Sequence, residues 1–259
     1  MTVPSISVAI ITKNEEANIR RCLESAKWAD EIIVVDSGST DDTLKICKEY
    51  HCRVFNHEWE GYAKQKNFAI GQAACDWVLA LDADEEITPE LAREIRAATG
   101  SDESAEAYAM PRRNLFLGKW MRHGGWYPDR QLRLFRRGSG TFKTVPLHEH
   151  IEMRDPSAEI GRLSNPIMHF TYPSVREFIA RMDSYTTIEV AAMVKEGRLP
   201  KHRMPALLTA LPLKFAETYI YKGGWRDGLH GFIAAVLLAI RVFVRQVKVW
   251  EASASADDG

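Results

Sequence analysis

Cysteine is scarce in this chain: four residues among 259, Cys22, Cys47, Cys52 and Cys75, with no C-x-x-C pair. That pattern gives no disulfide framework and predicts free, buried thiols in a reducing compartment. Long apolar runs are missing too. The run from Ile6 to Ile11 is too short for a secretory leader and lacks a basic lead. It passes into Lys13, Glu15 and Glu16 where a cleavage site would stand. The expected location is therefore cytoplasmic, on the inner face of a membrane if at a membrane at all. Charge of one sign is not in excess, since the formal net charge is -1, and nothing in that total suggests a polyanion-binding protein. G-x-G-x-x-G and G-x-x-x-x-G-K-[ST] do not occur, which counts against a dinucleotide oxidoreductase and a P-loop NTPase. H-E-x-x-H and G-x-S-x-G are absent as well. There is no internal repeat, and the only biased segment is the tail "ASASADDG".

What remains is an ordinary globular composition, 46% hydrophobic and 27% charged. A chain of this length buries roughly three quarters of its unfolded surface. "SISVAIIT" (Ser5 to Thr12) and "EIIVVD" (Glu31 to Asp36) are β-branched runs with polar punctuation after them, the pattern of buried strands. "WVLAL" (Trp77 to Leu81) and a short segment at Arg53 to Asn56 are two more. Between them lie helical patterns. The first has Ile19, Leu23 and Ala26 at helical spacing with Asn14 as its N-cap; others span "DDTLKICKEY" and about Gly61 to Ala74. Such alternation predicts an α/β fold, a mostly parallel sheet flanked by helices. Ligands of such sheets bind outside the carboxyl ends of the strands. Thr12, Asp36 and the Asp82/Asp84 pair all fall at those ends.

The last strand runs directly into Asp82, Asp84, Glu85 and Glu86, and such crowding of carboxylates costs free energy unless something offsets it. A divalent cation would do so: Mg²⁺ and Mn²⁺ prefer oxygen ligands and share them with substrate phosphates. A helix N-terminus is the alternative. "EEITPEL" has Thr88 as cap and Pro89 at the first helical position, which accounts for Glu86 and Glu90 but not for Asp82. Asp36, before the "SGSTDDT" turn, reads equally as a ribose or base acceptor and as a turn cap.

"VAIITKNEEANIRRCLES", "EIIVVDSGSTDDT", "AKQKNFAI" and "WVLALDADEEI" together closely resemble the nucleotide-sugar-binding half of family 2 glycosyltransferases, the inverting GT-A class. The later blocks "WYPDRQLRLFRRG", "VPLHEHI", "MHFTYPSVREFI" and "YKGGWRDGLHGF" resemble the subgroup that includes the bacterial lipopolysaccharide-core β-1,4-glucosyltransferases. The resemblance implies a GT-A fold, a nucleotide-sugar donor such as UDP-glucose, Mg²⁺ or Mn²⁺ as cofactor, and a lipid-linked saccharide acceptor. It implies that Thr12, Asn14 and Glu15 line the nucleotide pocket and that Asp36 holds the uracil or ribose side. Lys66 and Asn67 would lie near the diphosphate or base. Asp82 would touch ribose or metal-bound water, Asp84 would be the main metal ligand, and His169 would be a third.

Inversion requires a base opposite the leaving diphosphate to take the acceptor proton. In the family that group stands in an acidic motif, commonly an Asp after a Glu. Here the corresponding place reads "LHEHI", with the single acid Glu149 between His148 and His150. Glu149 is thus the first candidate base and Asp129 the second. Arg130, Arg133, Arg136 and Arg137 alternate with apolar residues and could form a phosphate-binding face or a solvated one. Arg112, Arg113, Lys119 and Arg122 with Trp120 and Trp126 would suit base or sugar stacking, but no nucleic-acid motif accompanies them, so no nucleic-acid partner is expected.

Between Met193 and Trp250 ten basic residues face three acids. "LHGFIAAVLLAIRVFVRQVKVW" is too short and too charged to span a bilayer. It reads either as an interfacial helix whose Arg241, Arg245 and Lys248 meet anionic lipid, or as a helix facing the core or a subunit. The expected organisation is a GT-A domain over 1–175 (donor half 1–100, acceptor half 101–175), a helical, membrane-associating extension over 176–250 and a disordered tail over 251–259. A homo-oligomer is compatible with this reading. A sugar-phosphate nucleotidyltransferase and a non-catalytic, membrane-docked interaction protein are the competing readings.

Overall fold

The computed structural model describes residues 3–143, 149–198 and 204–257. His148 and most of "VPLHEHI" lie outside them. The chain forms two units, the first made of Met1–Arg112 and Asp129–His169, the second of Arg113–Pro128 and Phe170–Gly259. Residues 113–128 thus cluster with the C-terminal helices, whereas the sequence reading placed boundaries after residues 175 and 250.

The chain begins β1 (Ile6–Thr12), α1 (Ile19–Ala26), β2 (Glu31–Asp36), α2 (Thr43–Glu49), β3 (Arg53–Asn56), α3 (Tyr62–Gly71) and β4 (Trp77–Asp82). There follow β5 (Glu85–Ile87), α4 (Pro89–Thr99), β6 (Ala107–Phe116), β7 (Lys119–Trp120), β8 (Asp129–Arg136), β9 (Gly140–Phe142), β10 (Ile151–Met153), β11 (Ile160–Arg162) and β12 (Ile167–Tyr172). The main sheet has the order β3-β2-β1-β4-β8-β6-β12-β5. Its first four strands are parallel, as expected; β8 then pairs antiparallel with β4 and β6, and β12 antiparallel with β5. The sheet is therefore mixed: its strand–helix half is parallel, and beyond β4 the antiparallel pairings are joined by short β11, which lies parallel to β6.

Strands buried on both faces explain the unbroken apolar runs. Alternate residues of β1 go to opposite cores: Ile6, Val8 and Ile10 join Trp77, Leu79 and Leu81 of β4 and the apolar stripe of α1 and α4. Ala9 joins Val78 and Ala80 beneath Ala63 and Ala69 of α3. Small residues on that side let α3 lie close to the sheet. Register aligns Thr12 with Asp36 and Ile11 with Asp82, so the three polar strand ends share one rim.

Two local expectations are corrected. Asn14 is not the cap of α1, which starts at Ile19 after Asn18; Asn14 instead adopts φ 55° in the preceding loop. Glu85 and Glu86 are not a first helical turn but belong to β5, and α4 starts behind them with Thr88 accepting from the Leu91 amide and Pro89 leading the helix. Cys22 and Cys47 are buried thiols, while Cys52 and Cys75 are half-buried. Burial pushes Cys47 up to about 12 and Cys52 up to about 11, so neither is a nucleophile at neutral pH.

The second unit is helical: α5 (Val175–Lys195), α6 (Met204–Phe215), a π-helical turn (Ala216–Tyr221), a 3-10 turn (Gly224–Asp227) and α7 (Gly228–Asp257). The expected tail is thus helical as far as Asp257. Arg241 and Arg245 pair with Glu189, and Lys248 bonds Asp183 and Thr187 at 2.7 Å each. The three cations proposed to face lipid are engaged with α5. No helix among the described residues is long and apolar enough to cross a membrane.

Candidate active site

Fixed cations of the protein answer the acid cluster at the end of β4. Arg133 of β8 reaches Asp82 Oδ2 at 2.6 Å and Glu85 Oε1 at 3.1 Å. Lys66 of α3 holds Asp82 Oδ1 at 2.7 Å and Glu149 Oε1 at 2.9 Å. Arg112 of β6 bridges Glu85 at 3.3 Å to Asp129 at 2.7 Å. Glu149, Lys66, Asp82, Arg133, Glu85, Arg112 and Asp129 thus form one chain of alternating charge. Glu85 is fully buried, and its other oxygen accepts from the Asp82 amide at 3.0 Å. Outside the chain, Glu86 lies 3.8 Å from Arg21.

Burial alone would raise the Asp82 pKa, but the charges of Arg133 and Lys66 and their hydrogen bonds outweigh it and hold Asp82 well below the usual carboxylate range. Burial likewise works against the Arg133 guanidinium, and Asp82 and Glu85 more than compensate, keeping it firmly protonated.

Asp84 has a different neighbour. His169 of β12 pairs in register with Glu85, which places its Nε2 at 3.5 Å from Asp84 Oδ2, with the two residues only 9% and 8% exposed. Oxygen and nitrogen donors are brought together there. Asp82 does not complete a set with them: its two oxygens are taken by Lys66 and Arg133, and no group of three His, Cys, Asp or Glu among the described residues could hold one ion. The Asp82/Asp84/His169 triad expected from sequence thus reduces to the Asp84/His169 pair. That pair still fits a hard divalent cation, which commonly takes one or two protein ligands and completes its shell with phosphate oxygens and water.

The remaining candidates divide into free and committed groups. Thr12 Oγ1, at the end of β1, is buried with no hydrogen-bond partner among the described residues. Asp36 caps its own turn, accepting from Gly38 N at 2.8 Å, Ser39 N at 2.9 Å and Ser39 Oγ at 2.5 Å. Asn14 stitches the two rim loops, its amide donating to Ser39 Oγ and its Oδ1 accepting from Thr40 N, each at 2.8 Å. The Glu15 amide donates to Thr43 Oγ1 at 2.8 Å. Asn67 pins β9: Nδ2 donates to the Phe142 carbonyl and Oδ1 accepts from the Phe142 amide, both at 2.8 Å. Its amide is spent on the fold. Asp129 Oδ1 accepts from Gln131 at 2.6 Å while Oδ2 faces Arg112, so both its oxygens are engaged. Glu149 uses Oε1 for Lys66, and its other oxygen meets no donor among the described residues. Gln65 escaped the sequence reading. Fully buried, it joins Ser37 Oγ at 2.8 Å to His57 Nδ1 at 2.8 Å. No apolar face marks it in the sequence, because the buried residues of α3 are Ala63, Gln65, Lys66 and Ala69.

The profile of glycosyl transferase family 2 matches residues 7–160. A lipopolysaccharide core biosynthesis glycosyltransferase, LpsC of Rhizobium meliloti (strain 1021), is 31% identical over 258 residues, covering 95% of this chain and 92% of that one. The chain belongs to glycosyl transferase family 2. An uncharacterized glycosyltransferase of Rickettsia typhi is 30% identical over 257 residues, covering 96% of the present enzyme and 87% of its own length. Among solved structures, the mannosyltransferase PcManGT from Pyrobaculum calidifontis, in complex with GDP-Man and Mn²⁺, superposes with a TM-score of 0.50 at 18% identity, over 99% of this chain and 76% of that one. The enzyme is a glycosyltransferase of GT-A fold, as the strand and motif order implied. In this family 2 glycosyltransferase the polar rim of the parallel strands, with Thr12, Asp36 and Asp82, is the candidate donor side.

Proposed function

We propose that this glycosyltransferase moves a hexosyl group, with inversion, from a nucleotide diphosphate sugar to a lipid-linked saccharide, of the kind found in the lipopolysaccharide core. UDP-glucose is the first donor to test. The observation that carries the reading is the Asp84/His169 pair standing beside a network in which the neighbouring acids are already neutralised by protein cations. Bound there, Mg²⁺ or Mn²⁺ would supply charge neutralisation to the departing nucleotide diphosphate. Thr12 Oγ1 offers a buried hydroxyl to the nucleotide, while the charge of Lys66 is already shared between Asp82 and Glu149.

Glu149 is the base in this reading. Lys66 orients one of its oxygens while the other can accept the acceptor hydroxyl's proton as the new glycosidic bond forms and the diphosphate leaves. Asp129, with both oxygens engaged, is the weaker candidate. Interfacial contact with a membrane would suit a lipid-borne acceptor. Its support is the exposed apolar surface from α6 to the start of α7, where Leu208 and Leu229 are each 70% exposed and Tyr221 is 87% exposed.

Calorimetry with UDP-, GDP- and ADP-hexoses, with and without Mn²⁺, tests the proposal. Tight binding of a UDP-hexose that needs Mn²⁺ and is lost in Asp84→Ala is the expected result. Binding that is indifferent to Mn²⁺ and to Asp84→Ala would refute the metal role.

A further inference from the structure

A second cluster of polar groups lies in the helical unit, away from the acids of β4 in sequence. β7 pairs with β6 so that Trp120 is opposite Leu115. Over the indole lie two guanidiniums, with the central carbons of Arg113 and Arg122 at 4.4 and 4.3 Å from the ring centroid, and Tyr127 meets its edge at 5.4 Å and 88°. Neither arginine has a carboxylate within ion-pair distance among the described residues, unlike Arg112, Arg133 and Arg136. Two buried donors, Arg113 Nε and Trp120 Nε1, meet no acceptor among the described residues. The nearby carboxylate of Asp227 is already in use: it accepts from the main-chain amides of Arg122 and His123 at 3.1 and 2.8 Å and from His123 Nδ1 at 3.0 Å. Lys119 donates to the Asp227 carbonyl at 2.8 Å. Asp227 thus fixes the loop carrying Arg122 without neutralising the guanidinium.

The cluster therefore consists of donors and positive charge with no acceptor, held on a braced loop. Stacking on the indole offsets part of the repulsion between two like charges. Buried N–H groups nevertheless need acceptors, and planar guanidiniums match oxyanions in bidentate fashion. With the ring's π surface already engaged by cations, base or sugar stacking is the poorer use of Trp120. We propose that Arg113, Trp120 and Arg122 form an oxyanion site that takes a phosphate or carboxylate group of the saccharide acceptor. The acceptor part of this inference rests on the glycosyl-transfer reading above; the oxyanion part does not.

The test uses the full ¹⁵N-labelled chain, with the Trp120 indole resonance identified by its loss in Trp120→Phe. Inorganic phosphate and glucose 6-phosphate should shift that resonance saturably, and glucose should not. Arg113→Gln/Arg122→Gln should weaken phosphate at least tenfold, while Arg113→Lys/Arg122→Lys, which keeps the charge and guards against a folding defect, should fall between. A silent indole, or equal affinity in the glutamine variant, overturns the site. Sedimentation with phosphatidylglycerol vesicles separates the sources: a double glutamine variant that loses vesicle binding in place of phosphate binding would overturn the saccharide assignment in favour of a lipid headgroup. Donor binding by the wild-type protein is measured in parallel. Its absence would sink the glycosyl-transfer reading, whereas the phosphate titration would still decide the oxyanion site.

Discussion

Replacing Arg133 by methionine should be among the most costly single changes in the molecule. The substitution keeps most of the side-chain volume and removes the charge that stands 2.6 Å from Asp82 and 3.1 Å from Glu85. Removing one partner from a buried ionic network typically costs about 3–5 kcal/mol, because the other charge stays buried and uncompensated. At about 2–4 °C per kcal/mol for a domain of this size, the melting temperature should drop by roughly 6–20 °C. The pH dependence separates electrostatics from lost packing. Asp82 has a folded-state pKa held well below its ordinary value, so it adds stability above the unfolded pKa of about 3.9 and loses that addition as pH falls through the folded value. Without Arg133 only Lys66 sustains the depression. The gap between wild type and Arg133→Met should therefore be full at neutral pH and narrow below about pH 4. Thermal unfolding followed by circular dichroism across that range measures it. A gap that stays constant with pH would show that the loss is steric. A gap under about 1 kcal/mol would mean that the network behaves like a surface ion pair.

Glu149→Gln keeps an oxygen for Lys66 but cannot accept a proton, so transfer should fall by about 10²–10⁴ while donor affinity holds; Asp129→Asn should stay within about tenfold, and the reverse ranking in a coupled UDP-release assay would move the base to Asp129. Asn67→Ala removes the bonds to both main-chain groups of Phe142 and the one from Thr141 Oγ1 at 3.0 Å, and should cost about 1–3 kcal/mol in urea unfolding. A loss confined to nucleotide affinity, with stability intact, would return Asn67 to the donor pocket. Gly231→Ala should fail to fold or melt far below wild type, because a Cβ there falls on the Gly224 carbonyl. A soluble variant with an unchanged melting temperature would contradict that packing.

Elements that declare themselves locally were legible. β1, β2 and β4 are unbroken apolar runs because both faces are covered, and Thr88-Pro89 starts α4 through a cap that three residues suffice to define. Features that depend on distant partners were not. Arg133 is 51 residues from Asp82 and Glu149 is 83 from Lys66. A row readable as a phosphate-binding or a solvated face therefore hid that Arg133 is the counter-charge of Asp82 and Glu85, while Arg136 pairs with the half-exposed Glu106. The same limit hid the pairing of Arg241 and Lys248 with α5, since an i, i+4, i+7 row of cations is identical whether it meets lipid or a neighbouring helix.

This ordering of charge bears directly on which acid of the row would hold the proposed metal. A D-x-D motif offers two equivalent aspartates, and a row of four acids offers no hint of which is structural. The fold separates them by what it places opposite each. Guanidiniums and an ammonium face Asp82 and Glu85, directly or through one another, and an ion pair so short and buried resists displacement by a second cation. An imidazole faces Asp84, and neutral imidazole can share a cation with the carboxylate instead of competing with it. Among the described residues, Asp84 is the acid of the row that stands beside an imidazole, the neighbour with which we propose it shares a cation. Asp84→Ala and Asp82→Asn should accordingly fail differently: the first in Mn²⁺-dependent donor binding at near-normal stability, the second chiefly in stability.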